Sequence, residues 1–337
     1  MKNLFRITFV SIFIICSFAN AQNGKMVLDK PGTFKIANWS VHSMSGTDYT
    51  KAEKEANYKK LVALADAVKQ NPVIGSPVGF DCEAVLYGAG FDKKNGYGIQ
   101  CSFALHFLYF FINNKGNQVR FNIEPPSWTI VVNKLDCMSG GSLGYNAQKP
   151  TEDIKPGFNF ESWKQVADKL TDLCYVPGKK ETVADGVDRY GSDFYVIYNS
   201  ARPAYWQPVT IREAFTLLID FWKKHPHKME ADLMLQLIEP EYAKYSEAEK
   251  DGLAYSGGIG GIGSDPNSTP IMRINKEYWN KKLPRSAIQI MSFSAPSDNK
   301  FIQRQMDEDL SNNSGFYHIN RFLEKLDPSQ IAKIIDK

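Results

Sequence analysis

Apolar residues recur along this chain with two periods, and the period separates helices from strands. From Lys51 to Gln70, Leu61, Leu64, Ala65 and Val68 recur at steps of three, four and seven, with charges opposite, which predicts an amphipathic helix that Asn71-Pro72 ends. From Val78 to Leu86 the period is two: Val78, Phe80, Cys82, Ala84 and Leu86 point one way, and Asp81, Glu83 and Tyr87 the other. Beyond a hairpin signal at Lys93-Lys94-Asn95-Gly96, the residues Tyr97, Ile99, Cys101, Phe103, Leu105, Phe107, Tyr109 and Phe111 share a face, with Gln100, Ser102 and His106 opposite. Strands are also predicted over Phe34–Val41, through Val119, Phe121 and Ile123, and over Trp128–Leu135. One strand, one long helix and an antiparallel meander is the order of an α+β domain with its helix packed on the sheet.

The second half is more helical. A helix is predicted over Glu161–Leu173 and a strand over Phe194–Tyr198. Thr210-Ile-Arg-Glu213 reads as a capping box opening a helix with the stripe Ile211, Ala214, Phe215, Leu218, Ile219 and Trp222, which His225-Pro226 closes. A helical stretch from Met229 to Ile238 is broken by Glu239-Pro240; strands follow at Ile271–Ile274 and Ala287–Phe293, then helices at Phe316–Leu326 and Ser329–Ile335. The polar, two-proline segment 146–158 is the expected linker between an α+β domain over 22–145 and a mixed, helix-rich domain over 159–337. Over residues 30–135 the element order resembles that of cystatin-like domains; topology alone carries the resemblance, which transfers no functional residue.

The start of the chain has its own pattern. Lys2 and Arg6 precede an apolar run from Ile7 to Phe18, interrupted by Thr8, Ser11, Cys16 and Ser17, and Ala19-Asn20-Ala21 follows. This is the layout of a signal peptide over 1–21, with cleavage expected near Ala21-Gln22 and a soluble mature protein in the periplasm or outside the cell. The run falls short of the roughly 20 residues of a spanning helix. Phe13-Ile14-Ile15 before Cys16 does not suit a lipidation site. Removing the segment takes two basic and no acidic residues from a chain of net charge +3. The near-neutral remainder argues against nucleic acid as a partner, and no later stretch predicts an integral membrane segment.

Export makes the cysteines informative. Cys82, Cys101, Cys137 and Cys174 remain, an even number in an oxidising compartment, and are candidates for two disulfides. Cys82 and Cys101 lie on the apolar faces of neighbouring hairpin strands, either bridged or as buried thiols; if they pair, Cys137 and Cys174 become partners by elimination. Zinc spacing is absent, so no metal is expected.

Other chemistry is thin. The glycine-rich segment from Tyr255 through Gly258, Gly260, Gly261 and Gly263 to Ser264 contains a formal G-x-G-x-x-G, but lacks the preceding strand and following helix of a dinucleotide site. It is read as a flap over a ligand or as a surface loop without a role, and no cofactor is expected. Asp81 and Glu83, about 6.5–7 Å apart on one strand face, have the separation of a glycosidase pair and equally that of ordinary surface acids. The five histidines form no zinc-hydrolase motif, and Gly-x-Ser-x-Gly is missing, so no catalytic residue is assigned. Aromatic content of 13% is high, and Tyr205-Trp206 and Tyr278-Trp279, near element ends, are candidate exposed contact surfaces. The expected function is an exported, non-catalytic protein binding a protein or glycan. The alternatives are a secreted hydrolase of glycan or peptide with residues 255–264 as a lid, and a cystatin-like protease inhibitor.

Overall fold

The computed structural model describes residues 24–37, 49–88, 98–135, 141–144, 147–151, 154–176 and 178–337. The expected signal peptide, Trp39, His42, the hairpin turn at 93–96 and Cys137 lie outside them. The chain is mixed α+β. It begins with β1 (Phe34–Ile36), α1 (Lys51–Lys69), α2 (Pro72–Gly75), β2 (Phe80–Gly88), β3 (Cys101–Ile112), β4 (Gln118–Arg120) and β5 (Ser127–Val132). Then come α3 (Phe160–Thr171), β6 (Leu173–Tyr175), β7 (Lys180–Ala184), β8 (Val187–Tyr190), β9 (Phe194–Tyr198) and β10 (Trp206–Pro208). Next are α4 (Ile211–Lys224), α5 (Lys228–Ala243), α6 (Glu247–Lys250), β11 (Tyr255–Ser256), β12 (Ile262–Gly263) and β13 (Ile271–Ile274). β14 (Ile290–Ser294), α7 (Asn299–Ser311), α8 (Phe316–Glu324) and α9 (Pro328–Ala332) complete it.

These elements form two compact units, each discontinuous in sequence. The first comprises Met1–Gly90, Cys101–Ile130 and Ser294–Ile334; the second comprises Phe91–Gln100, Val131–Phe293 and Ile335–Lys337. The segment 146–158 therefore falls inside the second unit, and the helices α7 to α9 return to the first. Nothing local in the sequence marks that return, because it is decided by which apolar face covers which.

In the first unit β2 and β3 pair antiparallel over nine residues, β4 adds to β3, and β1 joins β2 in parallel. The sequence places β1 before the helix and the meander and leaves its pairing open; the structure sets it parallel to β2. Alternation in β2 holds: Phe80, Cys82, Ala84 and Leu86 are buried, while Tyr87 is exposed. The helix α1 starts on a full capping box at Thr50 and Glu53, and buries Leu61, Leu64, Ala65 and Val68 as its periodicity predicts.

The register of this hairpin corrects the first cysteine pair. Cys82 faces Phe107 and Cys101 faces Gly88, so the two cysteines lie six positions apart along the ladder and form no disulfide. Both thiols are buried; burial pushes the Cys101 thiol up to about 12, and its sulfur accepts from Asn57 Nδ2 at 3.6 Å. Cys174 is disulfide-bonded and lies in β6, not at the end of a helix as its sequence context predicts.

In the second unit β14, β9, β8 and β7 lie side by side, and β10, β13 and β6 form a separate three-stranded antiparallel sheet. The helix α4 presents Ile211, Ala214, Phe215, Leu218, Phe221 and Trp222 to a core shared with α3. Full burial of such side chains contributes about 1.5–3 kcal/mol each, before the entropy of ordering is counted. The helix α5 runs through Pro240, which the sequence reads as its end. The hairpin of β7 and β8 and the helix α7 escaped the sequence reading: β7 is polar and exposed, and α7 is a mostly polar surface helix.

Candidate functional site

A cleft of about 1530 Å³ lies in the second unit, and all of its lining comes from that unit. One wall is the sheet of β10, β13 and β6; another is the first two turns of α4; the end of α3, the turn at Asn275–Glu277, Gln100, and residues 133–135 and 141–142 complete it. Cross-strand register sets Gln207 opposite Arg273, and Arg273 opposite Leu173, as one row. Arg273 Nε donates to Gln207 Oε1 at 3.2 Å, and its Nη1 forms an ion pair with the Glu213 carboxylate. Arg212, one residue before Glu213, turns the other way to Glu247 and Asp251, at 2.9 and 2.7 Å.

Lys134, Lys169, Arg212, Arg273 and Lys276 line the cleft against three acids, Asp172, Glu213 and Glu277. Positive charge prevails, so an anionic or neutral polar ligand suits the walls better than a cation. Trp206 and Trp279 also contribute to the lining, although each is only 6% exposed. No histidine lines the cleft, and its disulfide-bonded Cys174 is not a nucleophile. Among the described residues no group of three or more His, Cys, Asp or Glu side chains is placed to hold a metal ion.

The residues singled out in the sequence are distributed differently from the expectation. Tyr205 is buried, and its hydroxyl donates to Asp188 Oδ2 at 2.6 Å while meeting Tyr190 Oη at 2.9 Å. Thr182 donates to the same carboxylate at 2.7 Å and Lys180 pairs with it at 2.9 Å. Burial pushes Asp188 up, but the bonds from Tyr205, Lys180 and Thr182 outweigh it and hold the carboxyl below its ordinary range. Burial also pushes the Tyr205 hydroxyl far up. This is a satisfied core network, and Tyr205 is part of it, not an exposed contact. Tyr278 and Trp279 are buried as well, as are Trp128, Trp163 and Trp222. The expected aromatic surface is thus absent among the described residues.

The glycine-rich segment is not a flap over the cleft, and none of its residues lines it. Tyr255–Ser256 and Ile262–Gly263 pair as a short antiparallel hairpin around a 3₁₀ turn at Ile259–Gly261. Gly258, Gly260 and Gly261 have positive φ, and a Cβ on Gly260 would lie 2.5 Å from Leu218 Cδ2. The Tyr175 hydroxyl donates to Gly261 O at 2.9 Å, and Ile262 is fully buried. Glycine is required here by backbone conformation and by close approach to α4.

The carboxylate pair dissolves into two structural contacts. Asp81 accepts from Thr33 N and Oγ1 at 2.8 and 2.9 Å and pairs with Arg120 at 3.0 Å, whereas Glu83 pairs with Lys35 at 3.3 Å. His106 stands opposite Glu83 in the ladder, and burial, opposed by Glu83, lowers its pKa. His225, at the end of α4, packs against Trp163, Phe221 and Trp222. The sequence missed Arg273, Lys169 and Lys276 because a cationic residue in a short strand, a turn or the last turn of a helix carries no local signal of a site. The one usable trace was the Thr210–Glu213 box. No protein-family model matches this chain, and neither a curated protein nor a solved structure is significantly similar to it.

Proposed function

We propose that this is an exported, non-catalytic binding protein that holds a glycan in the cleft of its second unit. The supporting observation is the cleft itself: a large concavity with cationic side chains in excess over acids, indole rings in its lining and neutral hydrogen-bonding side chains such as Gln100, Gln207 and Thr216 between the charges. Sugars present alternating polar edges and apolar faces, which such a wall matches. An extended peptide would instead seek an open strand edge. Of the two outer strands here, β10 has three residues and ends in Pro208, and β6 is already bonded to residues 141–143, which leaves little edge to extend. Export rests on the leader pattern of residues 1–21.

The test is a glycan array probed with the mature protein and with Thr216→Arg, which fills the cleft from the exposed side of α4. Binding by the parent and its loss in the variant, with unchanged circular dichroism, is the expected result. Binding that survives the arginine, or no bound glycan at all, defeats the reading. Release of shortened sugars on incubation would favour the hydrolase instead.

A further inference from the structure

The start of α4 departs from the rule followed by two other helices of the same chain. In a capping box the N-cap hydroxyl accepts from the backbone N–H three residues on, and the acid at that position accepts from the N-cap N–H. Thr50 and Glu53 do both, with Glu53 Oε2 2.7 Å from Thr50 N; Ser246 and Glu249 do both, with Glu249 Oε2 2.8 Å from Ser246 N. At Thr210 only the first half is made, Glu213 N donating to Thr210 Oγ1 at 3.1 Å. The Glu213 carboxylate has left its place on the helix end and reached Arg273.

Both partners of that ion pair line the cleft, and both are about one-third exposed, at 34% for Arg273 and 32% for Glu213. The guanidinium is also oriented from behind, because Gln207, directly opposite in the ladder, accepts from its Nε. An oriented guanidinium presents parallel N–H donors that match a planar carboxylate. Its present partner is such a carboxylate, supplied by the protein, and that partner has a second place to go. At the N-cap it would meet a backbone N–H and the positive end of the helix, where an acid is favoured. Lys169 and Lys276, on other walls of the same cleft, make no ion pair among the described residues.

We propose that Arg273 is a carboxylate receptor in the cleft, that Glu213 is its internal competitor, and that the carboxylate of an acidic sugar displaces Glu213 onto the backbone N–H of Thr210. This deepens the glycan reading and rests on it for the class of ligand. It assigns the ligand a uronic acid and makes Glu213 a brake on affinity. The exchange conserves ion pairs: Arg273 keeps a carboxylate partner, and Glu213 gains the half of the box it lacks.

The experiment follows the Arg273 Nε–H resonance in nitrogen-15 spectra while the mature protein is titrated with glucuronate, with glucose as the neutral control. The variant Glu213→Gln removes the competing charge and keeps a side chain able to complete the box, so it is expected to fold and to bind glucuronate about tenfold more tightly. Glucose is expected to leave the resonance unmoved, and Arg273→Gln to abolish glucuronate binding with unchanged circular dichroism. An unmoved Arg273 resonance in Glu213→Gln, or equal affinity of parent and variant, overturns the proposal. Stronger displacement of the resonance by tetraglutamate than by tetragalacturonate overturns the acidic-sugar class in favour of an acidic peptide. Neutral glycans held on the array with Arg273 silent would leave the glycan reading standing and remove this one. Glucuronate engaging Arg273 with an empty array would do the reverse.

Discussion

The two units use their charges in opposite ways. In the first, the acids of the sheet face are tied to neighbours at short range: Asp81 to Arg120 and Thr33, Glu83 to Lys35. In the second, Arg273 and Glu213 face a cleft that also holds Lys169 and Lys276, which make no ion pair among the described residues. The first unit resembles a scaffold with its polarity spent internally, and the second keeps polarity available to a ligand. Two of the fully buried titratable side chains, one in each unit, contrast. Asp188 in the second receives hydroxyl donors and a lysine. His318 in the first has no hydrogen-bond partner on either ring nitrogen and packs tilted against Phe80 at 4.7 Å between centroids. A buried charge is tolerated where donors converge on it, and a buried neutral histidine where rings enclose it.

The largest expected effects compare the two cores. Phe107→Ala in the first unit and Phe215→Ala in the second each remove a fully buried ring, and each is expected to cost about 3–5 kcal/mol in urea denaturation. Only Phe215→Ala, on the helix that carries Glu213, is expected to weaken glycan binding as well. Equal loss of binding in both variants would erase the division of labour between the units.

The next effect is a pH dependence belonging to the first unit. Burial, with a smaller contribution from Arg321, pushes His318 down to about 3 from an ordinary 6.5. The folded chain therefore prefers the neutral ring. The resulting stability is fully present above pH 6.5 and is lost as pH falls towards 3, by about 1.4 kcal/mol per unit at most. His106 and His225 shift in the same direction, so the wild-type slope alone does not isolate His318. Comparing urea midpoints at pH 7 and pH 5 for the parent and His318→Phe does, with a difference of about 2 kcal/mol expected between the two pH responses. Parallel slopes would show that His318 is not the responsible group.

The smallest effect separates a complete cap from a half-made one. Thr50→Ala removes a hydroxyl that serves a reciprocal box in the first unit, and about 1 kcal/mol of stability should go with it. Thr210→Ala removes the same hydroxyl from a box whose glutamate is engaged elsewhere. It should cost less, by a few tenths of a kcal/mol, in the same denaturation assay. Equal costs would mean that the diversion of Glu213 has no energetic consequence at the helix end.

Much of the fold was legible in local pattern. The strand Phe194–Tyr198 and the strand Ile271–Ile274 appear with the bounds read from their apolar runs, and α1 and α4 follow their periodicity to within a residue or so. Caps and turn residues act over three or four positions, so the information they carry is local too. The candidate site was far less legible. Gln207, Glu213 and Arg273 come from three separate elements, and no window of sequence contains all three. The exposure expected of Tyr205 and Trp206 failed for a related reason, although Trp206 does line the cleft. Flanking prolines suggested exposure, whereas the partners that bury Tyr205, Tyr190 and Tyr278 among them, are supplied by other elements.

By itself the sequence determined which segments could be helix or strand, where α1 and α4 begin, and that the glycines at 258, 260 and 261 stand in an irregular segment. Those properties follow from backbone sterics, side-chain period and capping within a few residues. Only the tertiary structure decided that Cys82 and Cys101 stay apart, that α7 to α9 join the first unit, and that Glu213 leaves its cap for Arg273. Each of those outcomes turns on register or on competition between partners distant in the chain. Local residue order does not encode the winner of such a competition, because its energy is settled only when the competing groups are brought within hydrogen-bonding distance.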